Sequence, residues 1–323
     1  MDCIHCGNCT RHCAFLANYK LDLAGFAQHP ELAYHCFLCG ECTACCPRDI
    51  DGREIALNLR QERIAQAGSF SALPEAKARR MLVLEKKNYL FNSYRRAKPG
   101  PVLFPGCNFP SFYPKTTRKL IKLLEERAGI GTVMDCCGKP IAELGMMEES
   151  KTICDRLSRR LHRIGATELV VLCPNCCAFL KGRLDLPVVS IYQKLQELGL
   201  VQPLRAERFA LYLPCPDRHS REMMESFLPL LQGQIEQLSG VQCCGLGGSA
   251  AASEPQIAAG FATKMQSKGL SEMYTYCASC AGQFARSGCE GVHHLLVELL
   301  RTGETPVKGM STLLNRAKYK LIL

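Results

Sequence analysis

The sequence contains neither a candidate transmembrane helix nor a recognisable secretory signal peptide. No run approaches the roughly 18 apolar residues that a bilayer-spanning helix needs. No charged stretch followed by an apolar one opens the chain as in a secretory signal peptide, because Cys3, Cys6 and Cys9 occupy that region. We therefore expect a cytoplasmic protein without a transmembrane segment of its own.

Nucleotide and nucleic-acid motifs are missing as well. The stretch Gly245-Leu-Gly-Gly248 is rich in glycine, but its flanks complete no dinucleotide fingerprint, and the simpler interpretation is a backbone that approaches a bulky group. The formal charge is +10, yet aromatic and basic residues do not interleave as on a nucleic-acid surface. We therefore expect no nucleic-acid partner and no hydride chemistry by this chain alone. The excess basic charge is interpreted as compensation for buried anions and as a surface for a partner protein.

Cysteine is abundant, with 22 residues in a chain of 323. Such density in a short secreted protein would indicate a disulfide framework. In the reducing compartment expected here, metal ligation is the remaining interpretation.

Residues 1–50 contain one cysteine spacing twice. The copies are Cys3-x2-Cys6-x2-Cys9-x3-Cys13 and Cys36-x2-Cys39-x2-Cys42-x3-Cys46-Pro47. This is the spacing of bacterial two-cluster ferredoxins, in which the fourth cysteine of each run binds the other cluster, whereas a zinc ribbon would need two simple pairs. It predicts two [4Fe-4S] cubane clusters, one on Cys3, Cys6, Cys9 and Cys46 and one on Cys36, Cys39, Cys42 and Cys13. Ala14 stands where the common pattern has proline, so we expect a helix to continue through Cys13.

A second cysteine constellation occurs twice in the rest of the chain. The first copy is Cys107, Cys136-Cys137 and Cys173-x2-Cys176, and the second is Cys215, Cys243-Cys244 and Cys277-x2-Cys280. Equivalent cysteines are 104 to 108 positions apart, which indicates an internal repeat. Adjacent cysteines make a poor disulfide and a strained zinc site, but several irons of one cluster can each take a thiolate.

Short apolar strands precede the cysteine groups of both repeats, and helical segments alternate with the strands. Because ligands bind at the carboxyl ends of strands in open α/β sheets, each set of five cysteines is expected to converge. The predicted fold is multidomain, with an α-helical ferredoxin domain and two α/β repeats whose sheets are parallel or mixed. The predicted boundaries are 1–70 for the ferredoxin domain, 71–98 for a basic helical connector, 99–205 for the first repeat and 206–323 for the second.

These motifs together resemble the catalytic subunit family of heterodisulfide reductase, in which a two-cluster ferredoxin module accompanies two cysteine-rich CCG domains. The same modules are found in iron-sulfur subunits of glycolate oxidase and of anaerobic glycerol-3-phosphate dehydrogenase. The resemblance implies a noncubane four-iron cluster on each set of five cysteines, with zinc in one of the two sites as an alternative. It further implies that a disulfide is held between these clusters and receives one electron from each.

The predicted function is that of an oxidoreductase subunit that passes electrons from cubane clusters to noncubane clusters and reduces a disulfide or a similar acceptor. A flavoprotein, hydrogenase or ferredoxin partner is expected as the electron donor. The alternatives are an electron relay for a flavin-dependent hydroxy-acid or glycerol-3-phosphate dehydrogenase, and a metal-bearing assembly scaffold without turnover. Four cysteines remain outside the predicted sites and are interpreted as buried hydrophobes: Cys45, Cys154, Cys177 and Cys289. As an alternative, Cys45 and Cys177 could substitute for the predicted ligands that they adjoin. Lys139 and His219 are candidates for a proton donor or for charge compensation.

Overall fold

The structure is a computed structural model that describes residues 2–309 and 311–322. The chain divides into two compact units that are interleaved in sequence. The first unit comprises Met1–Lys87, Pro140–Ser150 and Ser239–Gly269, and the second comprises Asn88–Lys139, Lys151–Leu238 and Leu270–Leu323.

Seventeen helices and nine strands make up the described residues. The helices are α1 Asn8–His12, α2 Ala14–Tyr19, α3 Leu23–Phe26, α4 Glu41–Ala44, α5 Gly52–Ala67, α6 Ala76–Lys87, α7 Phe109–Phe112, α8 Pro114–Ala128, α9 Lys139–Ala142, α10 Met147–Arg163, α11 Pro174–Leu180, α12 Ile191–Glu197, α13 Glu222–Phe227, α14 Pro255–Gln266, α15 Ala278–Arg286, α16 Leu295–Leu299 and α17 Ser311–Ile322. The strands are β1 Ser93–Arg96, β2 Gly100–Phe104, β3 Gly131–Met134, β4 Ala166–Val171, β5 Val188–Ser190, β6 Leu204–Leu211, β7 Leu231–Gln237, β8 Met273–Thr275 and β9 Val292–His294. Short 3-10 helices cover 30–35, 70–72, 215–217, 228–230 and 247–252.

The second unit contains two sheets with the same strand order. One sheet runs β1-β3-β2-β4-β5 and the other runs β7-β6-β8-β9. Every pairing is parallel except that of β1 with β3. Without the extra edge strand β1, the first sheet matches the second strand for strand. The predicted α/β architecture and the predicted internal repeat are therefore confirmed.

Continuous apolar runs account for the central strands. Val102, Leu103 and Phe104 of β2 are fully buried, as are Val170 and Val171 of β4. Strands buried on both faces carry such runs in place of an alternating pattern, because helices cover both sides of a parallel sheet. The helix α8 begins with Pro114 and ends at Gly129, whose φ of 66° is the left-handed conformation that favours glycine at a helix end.

The first unit consists of helices and turns and, within its described residues, contains no strand. Its interior holds the guanidinium of Arg60, from α5, whose exposed fraction is 0%. Arg60 donates hydrogen bonds to the carbonyl oxygens of Ala33 at 3.0 Å, Cys36 at 2.9 Å and Gly248 at 3.1 Å, and also to that of Glu143. One planar cation therefore ties together three backbone segments that are distant in sequence, around residues 33–36, 143 and 248.

Arg79 of α6 adds a second buried cation to the same unit. It donates to the carbonyl oxygen of Ser249 and to the hydroxyl of Ser253, both at 3.0 Å. The guanidinium carbons of Arg60 and Arg79 lie 4.8 and 5.1 Å from the ring centre of Tyr34, within range of a cation–π interaction. The unit is thus organised around buried arginines as well as around apolar side chains.

Several predicted elements differ from the structure. The helix expected to continue through Cys13 stops at His12, because Cys13 is extended, and a new helix begins at Ala14. The segment 71–98 is not a continuous helical connector, since α6 belongs to the first unit and Ser93–Arg96 forms an edge strand. The segment 141–164 is not one continuous helix, since α9 ends at Ala142 and α10 begins at Met147.

Two segments of the second repeat combine helical and strand structure. The segment 220–231 contains α13 and a 3-10 turn before β7 begins at Leu231. The segment 293–301 includes the end of β9 before α16. Within the described part of the chain, no helix combines the length and the apolar character that crossing a bilayer requires.

Replacing Arg60 by leucine is expected to destabilise the protein by about 3 kcal/mol or more, because four buried carbonyl oxygens lose their donor. Urea unfolding of the anaerobically purified protein measures this change. The matched control is Arg80→Leu, since Arg80 is exposed on α6, and we expect a change within about 0.5 kcal/mol. Equal effects of the two substitutions would contradict the role given to Arg60.

Candidate metal centres

The two cysteine runs near the beginning of the chain adopt the same backbone conformation. His5 and Leu38, each just before the second cysteine of its run, both have a φ of 52°, and Gly7 and Gly40, just after it, have φ of 70° and 73°. The N–H groups of His5 and Leu38 lie 3.4 Å from the sulfurs of Cys3 and Cys36, respectively. This loop turns backbone N–H groups toward sulfur, which favours the anionic form of a cysteine ligand.

The four predicted ligands of one cubane lie around a single pocket. Cys3, Cys6, Cys9 and Cys46 all line it. Three of these side chains come from the first cysteine run and the fourth from the end of the second, which is the crossed arrangement that the spacing predicts. Cys9 is buried in α1, whereas Cys6 is exposed.

The predicted ligands of the other cubane also lie close together. Burial raises the pKa of Cys13 to about 12, and the charges of Cys39 and Cys36 add to the increase. Burial likewise raises the pKa of Cys42 well above its ordinary value, with contributions from Cys36, Cys13 and Cys39. The pKa of Cys36 is raised to about 11 by burial, although the positive charge of Arg60 opposes the change. The four thiols, of which Cys13, Cys39 and Cys42 are buried, lie within electrostatic reach of one another, and a bound cation would stabilise their thiolate forms.

Both groups of four cysteines have the features that a four-iron cluster requires. Each supplies four thiol sulfurs, and each includes an N–H donor at a sulfur and a glycine in a left-handed conformation beside a ligand. Gly52, at the start of α5, has no room for a side chain because a Cβ there would overlap the sulfur of Cys42. The residues therefore fit the predicted cubanes, for which Cys3, Cys6, Cys9 and Cys46, and Cys13, Cys36, Cys39 and Cys42, remain the predicted ligands.

The five cysteines of the first repeat converge at the carboxyl ends of three parallel strands. Cys107 follows β2, the pair Cys136-Cys137 follows β3, and Cys173 and Cys176 follow β4. The thiols of Cys136 and Cys176 donate hydrogen bonds to Cys137 and lower its pKa, and Cys176 does the same to Cys173. Cys107 is near enough to raise the pKa of both acceptors. All five sulfurs therefore share one region of the second unit, as the prediction requires.

A polar network supports the cysteine pair of this first group. The carboxylate of Asp135 accepts hydrogen bonds from the N–H of Cys136 at 2.8 Å, from the hydroxyl of Tyr94 at 2.7 Å and from Arg160 at 3.1 Å. Asp135 is buried, and its burial raises the pKa of the carboxyl. The network holds the start of the pair in a fixed orientation.

Three cysteines of the second repeat lie in the second unit. Cys215 follows β6, and Cys277 and Cys280 follow β8. Asp217 accepts a hydrogen bond of 2.7 Å from the hydroxyl of Tyr276, which joins the segments that carry Cys215 and Cys277. The pair Cys243-Cys244 belongs to the first unit, where Gly245 donates its N–H to the sulfur of Cys243 at 3.3 Å. Its membership in the second five-cysteine site stays a prediction from the repeat. The expected strand at 241–242 before the pair is absent.

The cysteine loops of the two repeats contact each other within the second unit. Asn108, next to Cys107, donates a hydrogen bond of 2.6 Å to the hydroxyl of Ser279, which lies between Cys277 and Cys280. Asn175, between Cys173 and Cys176, places its side-chain nitrogen 3.9 Å from the sulfur of Cys277. We refer to Asn108, Asn175 and Ser279 as the polar seam. At this seam, a single side chain separates the loops that carry predicted ligands of two different clusters.

The cysteines outside the predicted sites are at least partly buried. Cys45 donates its S–H to the carbonyl oxygen of Cys42 at 3.4 Å, and Cys154 donates to that of Cys137 at 3.6 Å. Burial raises the pKa of Cys45 to about 11 and that of Cys177 to about 12, and it raises the pKa of Cys289 as well.

The two candidate proton donors have different surroundings. The backbone N–H of Lys139 contacts Cys137 and helps to lower the pKa of that thiol, whereas the side chain of His219 is exposed. The sequence interpretation missed the polar seam, Asp135 and Gln242. Only Asp135 and Gln242 could have been recognised from the sequence, because they occupy equivalent positions directly before the cysteine pairs of the two repeats.

The glycine-rich stretch after the second pair packs closely against a cubane loop in the first unit. A Cβ at Gly247 or at Gly248 would overlap the carbonyl oxygens of Phe37 and Cys36, respectively. Gly248 has a φ of 61° and also accepts a hydrogen bond from Arg60. The glycines therefore permit a close backbone approach, and the segment that they approach carries the predicted ligand Cys36.

Comparisons with known proteins agree with the cysteine pattern. Residues 102–181 and 209–285 match the model of the CCG cysteine-rich domain. An uncharacterized iron-sulfur protein of Methanococcus maripaludis is 25% identical over 79% of this chain and 60% of its own length. A subunit of the fumarate reductase (CoM/CoB) of Methanothermobacter marburgensis is 21% identical over 77% of this chain and 56% of its own length. The chain thus spans at most about 60% of the length of these two relatives.

One solved structure is similar in fold. A hypothetical protein from Helicobacter pylori gives a TM-score of 0.55 at 10% sequence identity, covering 92% of this chain and 67% of that chain. At this identity the likeness concerns the fold alone. The matched segments contain both five-cysteine groups, so each group lies in a segment that resembles the CCG cysteine-rich domain, and the chain is similar to archaeal iron-sulfur proteins.

Proposed function

We propose that this chain is the iron-sulfur subunit of an oxidoreductase, which takes electrons from a donor protein and delivers them to a disulfide or a similar acceptor at its cysteine-rich repeats. The observation that carries the proposal is the polar seam, because it sets the first five-cysteine group against the Cys277-x2-Cys280 loop of the second repeat. The relation to iron-sulfur proteins, one of which is named as part of a reductase, supports the same conclusion.

Reduction of a disulfide needs two electrons and two protons and yields two thiols. Clusters held by the two sets of five cysteines would supply these electrons singly, one from each set. The side chains of Asn108, Asn175 and Ser279 provide N–H and O–H groups at this place, and such donors stabilise the negative charge that develops on sulfur as the S–S bond breaks. They also bind and orient the acceptor between the two cysteine loops.

The electrons are proposed to enter through the ferredoxin-like part of the first unit. Its two groups of four cysteines fit cubanes, and Cys6 is exposed, so that a donor protein can approach the first of these sites closely. A flavoprotein, hydrogenase or ferredoxin is the expected donor class, since the chain has no flavin or nicotinamide motif of its own. The relatives are longer than this chain, and one is named as a subunit, which fits activity within a complex.

Metal analysis of anaerobically purified protein tests the proposed set of centres. We expect about sixteen irons and sixteen sulfides per chain, with cubane signals in electron paramagnetic resonance spectra and a further signal that appears on thiol treatment and oxidation. About eight irons, cubane signals only and zinc in the repeats would remove the acceptor-reducing function and leave an electron relay.

The ligand assignment for the first cubane is tested by substituting two neighbouring cysteines in turn. Cys46→Ala is expected to lose about four irons per chain and one cubane signal, because Cys46 lines the pocket with Cys3, Cys6 and Cys9. Cys45→Ala is the matched control and should keep its full iron content, since the Cys45 thiol contacts a carbonyl oxygen. Loss of iron from the control alone would reverse the assignment.

The role of the polar seam is tested by Asn175→Leu, which keeps the branched shape of the side chain and removes its donors. With a reduced viologen as the electron source, the rate of thiol release from a small disulfide should fall about tenfold or more while the iron content stays unchanged. Asn58→Leu, at an exposed position of α5, is the control. Unchanged thiol release by the Asn175 variant would contradict a role at the acceptor site.

A further inference from the structure

The side chain of Gln242 lies between the predicted ligands of the second cubane. Its amide nitrogen is 3.4 Å from the sulfur of Cys13 and 3.4 Å from the sulfur of Cys39. A carboxamide nitrogen carries two hydrogens, so it can donate to both sulfurs at once. Gln242 is buried, and therefore these contacts are shielded from water, where they are stronger.

A backbone group fixes the orientation of this amide. The side-chain oxygen of Gln242 accepts a hydrogen bond of 2.8 Å from the N–H of Ala14. Because the oxygen faces a donor, the nitrogen must face the two sulfurs, and the opposite orientation of the amide would bring two donors together. The second cysteine run has Pro47 at the position equivalent to Ala14, and a proline there would have no N–H to offer.

The residue after Gln242 is Cys243, the first member of the cysteine pair of the second repeat. The equivalent residue of the first repeat is Asp135, whose carboxylate accepts the N–H of Cys136 and binds Tyr94 and Arg160. A carboxylate at position 242 would face two thiolates and be repelled by them. The two repeats therefore differ in charge at this position. The neutral donor, Gln242, occupies it in the repeat where the side chain contacts predicted sulfur ligands.

We propose that Gln242 is the positioning residue that couples the second cubane site to the Cys243-Cys244 pair, so that electrons leave the ferredoxin-like part through this residue. The inference rests on the proposed function, which supplies the types of cluster at the second cubane site and at the Cys243-Cys244 pair. In the step, one electron is given up at the site of Cys13 and Cys39, which is oxidised, and is taken up at the site of Cys243, which is reduced. No bond breaks and no proton moves.

Two physical effects follow from this placement of Gln242. Hydrogen bonds to ligand sulfurs stabilise the more negative, reduced form of a cluster, so they raise its reduction potential. The same contacts provide a continuous path of one hydrogen bond and one side chain from the cubane ligands to the backbone of Cys243. Gln242 therefore sets the potential of one cubane and the connection of that cubane to the next centre.

The test compares Gln242→Met, which keeps the side-chain length and loses both donors, with Gln242→Glu, which places an acceptor against the sulfurs. Redox titration followed by electron paramagnetic resonance measures the potentials of the two cubanes. We expect one cubane to become harder to reduce by up to about tenfold in its equilibrium constant, which is about 59 mV for one electron, while the other is unchanged. Freeze-quench spectra after addition of a reductant should also show slower arrival of electrons at the repeats.

Two further variants act as a second probe and as a control. Ala14→Pro removes only the N–H that orients the amide, and proline is tolerated at the first position of a helix, where Ala14 stands. It should shift the same cubane in the same direction. Gln256→Met and Gln256→Glu, at an exposed position of α14, should leave both potentials unchanged.

The outcomes separate this inference from the proposed function. Unchanged potentials in both Gln242 variants would overturn the role of Gln242, even in a protein that reduces disulfides normally. If Gln242→Met loses iron, Ala14→Pro decides, because it retains the amide: a shifted potential supports the role and an unchanged one overturns it. A shifted potential in a protein whose unmodified form reduces no acceptor would instead remove the proposed function and leave the role of Gln242 standing.

Discussion

The cost of burying a sulfur that must carry negative charge is the constraint on which the rest of this structure depends. In the absence of metal, burial raises the pKa of Cys13 to about 12 and that of Cys36 to about 11, so these thiols would be neutral near pH 7. A thiolate becomes stable there only with a metal cation beside it and N–H donors around it. The left-handed turns at Gly7 and Gly40, and the buried guanidinium of Arg60, provide such surroundings on the protein side.

The two repeats meet this constraint differently at one position. Asp135 orients the first cysteine pair through the N–H of Cys136, and its own charge is balanced by Arg160 at 3.1 Å. Gln242, at the equivalent place, directs its amide nitrogen toward Cys13 and Cys39. The two repeats thus share the pattern of predicted ligands, whereas the residue before the pair makes different contacts in each repeat. In such a repeat, the shared cysteines indicate which type of site is present. The residue before the cysteine pair indicates which other groups that site contacts.

Much of the fold could be predicted because the informative signals are local. The buried runs of β2 and β4, and the cysteines that follow them, are enough to place the first five-cysteine group at one edge of a sheet. The helix α5 is also predictable nearly to its ends, since Gly68 terminates it. Cys13, expected inside a helix, is extended instead, and its thiol lies near Cys36 and Cys39 while Ala14 offers its N–H to Gln242.

Other features could not be predicted, because they depend on contacts between distant segments. Nothing in residues 239–269 indicates that they belong with the beginning of the chain, and the division into two interleaved units follows from packing that no local pattern records. The short strands β7 and β9 exist because they pair with β6 and β8, and the polar sequence of β7 carries no strand signal of its own. The polar seam was missed for the same reason, as Asn108 and Ser279 are 171 positions apart.

Part of the excess of basic residues has a local structural role, because two arginines of the first unit are buried. In the first unit the guanidiniums of Arg60 and Arg79 are buried and bind backbone carbonyl oxygens, so neither is neutralised by a carboxylate among these partners. The charge of Arg60 lowers the pKa of Cys36, against the larger effect of burial. A cation held by carbonyl groups stays in place when the charge on the nearby sulfurs changes, whereas a mobile surface lysine would rearrange with solvent. Buried arginines therefore suit the proposed function, in which the interior changes charge by single electrons without changing shape.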